Sequence, residues 1–399
     1  MSNLRLSDLA TNELGRDAWG KSKVTIDYSL FHGMFTYNVP LLTWYESING
    51  VVTNPVPTNC VSVDGALEVS AGSTLNDTTF LTSFRNPRYE PNRGTLYSTA
   101  GWITNPTALM TREWGTFNAE SGVFFRLKAG GTLVGIFRTT IQGVTSDTEI
   151  PLTIPDGVDL SKGNVFDIQY QWRGAGNFKF FINLKQAGNS NTLGTLTNLS
   201  IFNPALPIAW GSENLGDNDV MNFGCVDVTS EGGVDDGNTY GSVSIDNTTG
   251  QIALSGFNQP VMAVRVKTTV NGLINTRDTL ALELSAYSDQ RSFLRVWRTR
   301  DFSAIIDNDQ VWADFGDGHL ESIQYDNPTV ATPITFDTSK TQLIFGCRVS
   351  QDETYVTSAM FEGRTEIYLT AGDMLVFTMH RENGGAINAG VTFEFAEAI

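Results

Sequence analysis

Residues 164–185 constrain the chain more than any other stretch. In VFDIQYQWRG, Phe166, Ile168, Tyr170 and Trp172 fall on one face of an extended strand, and Asp167, Gln169, Gln171 and Arg173 on the other. After the short RGAG loop the pattern resumes in NFKFFINLK, where Phe178, Phe180, Ile182 and Leu184 oppose Lys179, Asn183 and Lys185. Alternation with period two is the mark of a half-buried strand. Two such runs joined by a glycine-bearing loop predict an antiparallel hairpin with one buried face.

The same period recurs along the chain. Residues 122–140, GVFFRLKAGGTLVGIFRTT, predict a second hairpin turning at Ala129-Gly130-Gly131. TLALELSAYS places Leu280, Leu282, Leu284 and Ala286 on one side, QLIFGCRVS aligns Leu343, Phe345, Cys347 and Val349, and VTFEFAEAI aligns Val391, Phe393 and Phe395. Asn-Gly pairs at 49–50, 271–272 and 383–384 are hairpin-turn signals. No long helical period competes, and 38 glycines and 24 phenylalanines supply the turns and buried faces of an all-β chain.

At 399 residues the chain exceeds what one core usually fills. The polar, turn-rich run TSEGGVDDGNTYGS at 229–242 is the natural break. The expected organisation is an extended arm over 1–24, a sandwich over 25–228, a linker over 229–242 and a second antiparallel β-sandwich over 243–399. Both sandwiches are expected to be jelly-roll-like.

The charge balance excludes one class of partner. With 43 acidic and 26 basic side chains the net charge is −17, a field that repels a phosphate backbone, so no nucleic acid is expected. No hydrophobic stretch reaches 18 residues, so neither a membrane span nor a signal peptide is expected, and synthesis is placed in the cytoplasm. Cys60, Cys225 and Cys347 are far apart and form no CxxC pair. Buried, inert thiols are expected at 225 and 347, both in strand-like apolar segments.

WADFGDGHLESIQYD, residues 312–326, crowds Asp314, Asp317, His319, Glu321 and Asp326 together. The spacing fails the calcium-loop pattern and the flanks are strand-like, so a Gly-Asp-Gly hairpin turn is expected rather than a metal or catalytic centre. His32, His319 and His380 form no HxH or HExxH motif, and His380 is expected at a strand end on the polar face. There is no GxSxG elbow. Glycan hydrolysis needs two neighbouring carboxylates. The compact Glu-x-Asp-x-x-Glu pattern of laminarinase-like sandwiches is absent, and Glu113 and Glu120 lie seven apart on an expected loop. Carboxylates assembled from distant strands are invisible to spacing.

FRNPRYEPNRG, residues 84–94, is the basic cluster, with Arg85, Arg88 and Arg93 around two prolines. Such a loop grips an acidic neighbouring surface or carries solvated charges. Trp19, Trp44, Trp102 and Trp114 are interface anchors or local core. Trp172 and Arg173 stand at a hairpin tip. The expected interface set is therefore Trp19, Arg85, Arg88, Arg93, Trp102, Trp172 and Arg173, with no catalytic, cofactor or metal residue and no enzymatic activity.

The strings GRDAWGKSKVTIDYSLFHGMFTYNVP, NPRYEPNRGTLYSTA, FDIQYQWRGAGNFKFFIN, GCVDVTSEGG, INTRDTLALELSAYSDQRSFLRVWRTRDF and FEGRTEIYLTAGDMLVFTMHRENG resemble a group of virion structural proteins from tailed bacteriophages. The resemblance covers most of the chain. It implies a component of the particle exterior, as a head-decoration protein, head fibre or tail-associated protein, and it carries no catalytic residue over. The N-terminal sandwich is also similar to concanavalin-like jelly rolls through its FDIQYQW…NFKFFIN hairpin, a likeness of fold alone. Partners are then expected among other virion proteins, capsid or tail, and in a homotrimer. The arm over 1–24 would be the attachment element. The alternative expectation is a carbohydrate-binding adhesin that contacts a host-surface glycan.

Overall fold

The computed structural model describes residues 27–398 apart from 54–56, 90–92, 172–176, 192–203, 232–237, 247–258, 271, 276, 278, 301–311, 315–322, 327–340, 352, 358–366 and 383–387. The chain is all-β and divides into two compact units, Met1–Asp235 and Asp236–Ile399.

The first unit is a β-sandwich of two eight-stranded sheets. Sheet I runs, in spatial order, Lys185–Asn191, Asn177–Ile182, Asn164–Tyr170, Thr95–Ile103, Val220–Glu231, Ala66–Ser70 and Cys60–Val63, with Asp27–Met34 also pairing Val220–Glu231. Sheet II runs Val144–Pro151, Leu133–Ile141, Gly122–Leu127, Met110–Phe117, Ile208–Asn214, Thr78–Ser83, Trp44–Ile48 and Val51–Thr53. Alternate residues of the two sheets meet in one core. Trp114 of sheet II stacks on Phe125 at 5.5 Å and meets the edge of Phe166 of sheet I at 5.1 Å. Each ring so buried contributes on the order of 2–3 kcal/mol. The sheets approach so closely at Gly135 that an added Cβ would lie 2.6 Å from the Phe180 ring.

The second unit pairs a five-stranded with a six-stranded sheet. Sheet III runs Asn238–Asp246, Ala389–Ala398, Thr279–Ser288 and Glu353–Thr357, with Tyr368–Leu369 also on Thr279–Ser288. Sheet IV runs Ala313–Asp314, Ile323–Asp326, Gln259–Val266, Met374–Arg381, Ser292–Thr299 and Thr341–Val349. Phe377 of sheet IV meets Phe393 of sheet III at 5.4 Å within a shared core.

The two expected hairpins form where the alternation placed them, with Phe166, Ile168, Tyr170, Phe178, Phe180 and Ile182 all in the core. Leu184 does not join them. It occupies the turn with Asn183 at φ of 66° and is 62% exposed, because the strand ends at Ile182. The segment 280–286 also departs from expectation. A β-bulge between Ala281 and Glu283 inserts one residue, so Ala281, Leu284 and Ala286 reach the core while Leu280 and Leu282 stay half-buried. One extra residue exchanges the faces of everything beyond it. A second irregularity, between Val296 and Trp297, leaves Leu343 exposed and turns Ile344 toward the core.

The linker expected over 229–242 is partly strand, since Thr229–Glu231 end one strand and Asn238–Ser242 open another. The arm over 1–24 lies outside the described residues. The cysteines need correction: Cys225 is exposed and Cys347 half-buried, and Cys60 is the buried one. His380 stands at a strand end, next to last in Met374–Arg381, on the face opposite the core residues Phe377 and Met379, as expected. It is nonetheless buried against Phe293 at 5.1 Å, where burial and then the Arg295 charge push its pKa down.

Candidate functional site

Three neighbouring strands of sheet I build a polar row. The register sets Asp167 opposite Ser98, and Ser98 opposite Asp227; Asp27–Met34 extends the row with His32 opposite Asp227. These positions face away from the core because their neighbours Phe166, Ile168, Tyr97, Val226 and Val228 fill it. Two strand spacings separate the Asp167 and Asp227 Cα atoms, about 10 Å.

The two carboxylates differ in environment. Asp167 is only 3% exposed; its Oδ1 accepts the Ser98 hydroxyl at 2.6 Å, and its Oδ2 has no hydrogen-bond partner. Burial pushes the Asp167 carboxyl up, against the opposing pull of the Ser98 hydrogen bond. Asp227 is less buried and accepts the Ser29 hydroxyl at 2.7 Å. Gln169 and Lys179, opposite each other on the adjoining strands, extend the buried polar surface of the same face.

The row opens toward Trp102, four residues along the same strand and about 13 Å from Ser98. Positions 98, 100 and 102 share one face, with the small Ala100 between. Trp102 is 37% exposed and lies opposite Asn222, whose Nδ2 donates to Thr104 Oγ1 at 3.2 Å. By continuation of the register Gly163 sits on its other side. A β-bulge at Gly224 follows, held by the Thr99 hydroxyl donating to the Cys225 carbonyl at 2.6 Å. A Cβ at Gly163 or Gly224 would meet nothing within 4 Å, so the floor beside the indole is open. The exposed Cys225 and Met34 complete the neighbouring row. A partly exposed indole can pack on the C–H face of a sugar, and the half-buried Ser98 and Asp227, about 13 Å along the same face, can take hydroxyls of a further sugar unit. Asp167 lies beneath them, 3% exposed.

The interface residues expected from sequence do not form one cluster. Arg85, Arg88 and Arg93 are half-buried between Thr78–Ser83 and Thr95–Ile103, and each is already engaged within the fold. Arg93, two residues before the strand Thr95–Ile103, and Trp102, near that strand's far end, are roughly 30 Å apart. Trp19, Trp172 and Arg173 lie outside the described residues. Trp44 and Trp114 are core.

Glu113 belongs to a strand rather than a loop, is buried, and forms an ion pair with Arg126 at 2.5 Å. Burial pushes its carboxyl up despite Arg126 and Arg138. Asp147 and Glu149 share a face of one edge strand, but Asp147 is held by Arg126 and Arg138 and Glu149 by Lys128. That network braces the outer face of sheet II. In 312–326, Ala313–Asp314 pairs antiparallel with Ile323–Asp326, while the expected Gly-Asp-Gly turn, with Asp317, His319 and Glu321, lies outside the described residues. Among the described residues no group of three or more His, Cys, Asp or Glu side chains is placed to hold a metal ion.

No signal in the sequence links Asp167, Ser98 and Asp227. They come from strands 69 and 129 residues apart, and only the register joins them.

No protein-family model and no curated protein matches the chain. Solved structures do. An endo-1,3-beta-glucanase from Streptomyces sioyaensis is 10% identical, over 52% of this chain and 97% of that one, with a TM-score of 0.40. An endo-beta-1,3-glucanase from Pyrococcus furiosus is 13% identical over 52% and 95%, at 0.38. Beta-agarase B from Zobellia galactanivorans is 12% identical over 54% and 96%, also at 0.38. The expectation that the chain is not an enzyme is withdrawn as a correction, because the structures it is similar to are described as two glucanases and an agarase; the likeness itself is one of fold alone. At this identity what is shared is a jelly-roll-like sandwich.

Proposed function

We propose that the protein is an exterior component of a tailed-phage particle whose first unit engages a host-surface glycan across the Trp102 face of sheet I. The glycan reading is carried by one observation: a 37% exposed tryptophan, in a clearing formed by Gly163 and Gly224, shares its sheet face with the Asp167–Ser98–Asp227 row. Hydrogen bonds from Ser98 to Asp167 and from Ser29 to Asp227 hold the half-buried Ser98 and Asp227 in place, so little ordering entropy opposes binding there. The particle setting rests on the sequence resemblance, with attachment through residues 1–24 and assembly as a homotrimer.

An array of bacterial surface polysaccharides tests the glycan reading. The full chain binds at least one glycan, and Trp102→Ala lowers that signal about tenfold, the loss expected for a stacked ring worth roughly 1–2 kcal/mol. A blank array, or a signal indifferent to Trp102→Ala, overturns it. Particle incorporation of a chain lacking residues 1–24 tests the attachment separately, since normal incorporation removes the arm from the proposal.

The carboxylate row favours a second reading, glycan cleavage. Asp167 and Asp227, two strands apart on one face with Cα atoms about 10 Å from each other, are the pair that a two-carboxylate cleavage would use. Reducing-end release by the wild type that is lost in both Asp167→Asn and Asp227→Asn supports cleavage. Binding without release leaves the adhesin reading.

A further inference from the structure

The second unit contains a pocket of about 350 Å³ lined by Arg265, Val266, Lys267, Thr268, Thr269 and Gln324. Its volume is that of a small-molecule site. Val264 and Val266 point into the core, so the alternation carries Arg265 and Lys267 together to the opposite side of the same segment. Two cations two residues apart on one wall stand out in a chain of net charge −17.

The wall is fixed before any ligand arrives. Arg265 donates Nε–H and Nη2–H to Gln324 Oε1 at 2.8 and 2.6 Å, and its guanidinium carbon lies 4.2 Å from the centroid of the Trp312 ring. Stacking and a bifurcated hydrogen bond together set the plane of the fork. Beyond it the chain forms the small hairpin Thr269–Val270/Leu273–Ile274 around Gly272. Buried Asn275 pins that hairpin, donating its backbone N–H to the Thr268 carbonyl at 2.9 Å and its Nδ2 to the Lys267 carbonyl at 2.8 Å.

We propose that this pocket binds an oxyanion, carboxylate or phosphate, carried on a small polar ligand. Arg265 and Lys267 supply the counter-charge, and Thr268, Thr269 and Gln324 supply neutral polar contacts. A guanidinium already held in plane loses little freedom on meeting an oxyanion. The proposal is independent of the glycan face of the first unit, and its failure leaves that reading untouched.

Isothermal titration of the full chain with inorganic phosphate, D-glucuronate and D-glucose tests it. At least one of the two oxyanions binds at a single site, D-glucose does not, and added salt weakens the binding. Lys267→Gln lowers the affinity about tenfold, the cost of one charge-assisted contact. Arg265→Gln also removes the Trp312 stack, so Lys267→Gln is the deciding variant, and an unchanged melting temperature shows that it is folded. Binding of phosphate alone assigns the site to a phosphorylated ligand, and binding of glucuronate alone to an acidic sugar. Absence of heat with both oxyanions, D-glucose binding as tightly as glucuronate, or an affinity unchanged in Lys267→Gln overturns the proposal.

Discussion

Arg298 donates Nη2–H to the buried carboxylate of Asp373 at 2.8 Å, tying one central strand of sheet IV to the turn that precedes its neighbour. Arg300 adds a second cation at 3.0 Å, and the Thr370 backbone N–H donates to Asp373 Oδ2 at 2.7 Å. Burial pushes the Asp373 carboxyl up, but Arg298, Arg300 and the hydrogen bonds outweigh it and hold the pKa below the ordinary carboxylate range. A depressed folded pKa stabilises the fold fully above the unfolded value of about 3.9, and the contribution is lost as pH falls through the folded pKa. Asp373→Asn leaves two cations without their counter-charge and lowers stability near neutral pH by roughly 3–5 kcal/mol. Thermal unfolding followed against pH checks this: the gap between wild type and variant holds from neutrality down to about pH 4 and narrows below it.

Arg112 has the opposite character. It is fully buried in the first unit, its Nε and Nη1 have no hydrogen-bond partner, and its Nη2 reaches only the Met110 sulfur at 3.5 Å. Burial pushes its pKa down, partly offset by Asp219 and Asp217. Replacing a desolvated charge by an apolar side chain of similar length is neutral or stabilising by about 1–4 kcal/mol. Arg112→Met is therefore expected to unfold at the same or a higher temperature, whereas Arg112→Ala, which leaves a cavity, unfolds earlier. A marked loss in Arg112→Met would show that the guanidinium is satisfied.

The thiols divide by accessibility. Cys225 is exposed on the bulge beside Trp102, Cys347 is half-buried with its thiol pushed up to about 11 by burial, and Cys60 is fully buried with its thiol pushed well up by burial and by Glu46. The thiolate is the reacting species, so maleimide labelling of the native protein near pH 8 follows the order Cys225, Cys347, Cys60. Peptide mapping at successive times reads that order, and early labelling of Cys60 would contradict the packing.

The parts of the fold legible in the sequence are those that local alternation controls. Phe166, Ile168 and Tyr170 announce their buried face within a few residues, as do Phe178, Phe180 and Ile182 across the turn. Alternation cannot count an inserted residue, so the bulge at Ala281–Glu283 reverses the expected faces of Leu280 and Leu282. It cannot supply register either. Asp167, Ser98 and Asp227 look like ordinary polar positions of three separate strands until pairing lines them up. Tryptophans are ambiguous in sequence for a related reason: Trp44 and Trp102 both lie in strands, and only the sheet's other face distinguishes the core ring from the exposed one.

The turn at Asn183-Leu184 offers the last test. Both residues have positive φ, 50° and 66°, joining Asn177–Ile182 to Lys185–Asn191. A two-residue turn of this hand matches the strand twist, and Asn-Gly is its favoured pair. Asn183 suits it, and its Nδ2 donates to Asn164 Oδ1 at 2.8 Å. Leu184 incurs a steric penalty in the left-handed region and gains no burial in return. Leu184→Gly removes that penalty at the cost of a freer unfolded chain, and the balance favours the variant by about 0.5–1 kcal/mol. Leu184→Val, β-branched at the same φ, shifts stability the opposite way. Melting temperatures of the two variants should bracket that of the wild type; if glycine is the less stable, the side chain has a contact that its exposure does not reveal.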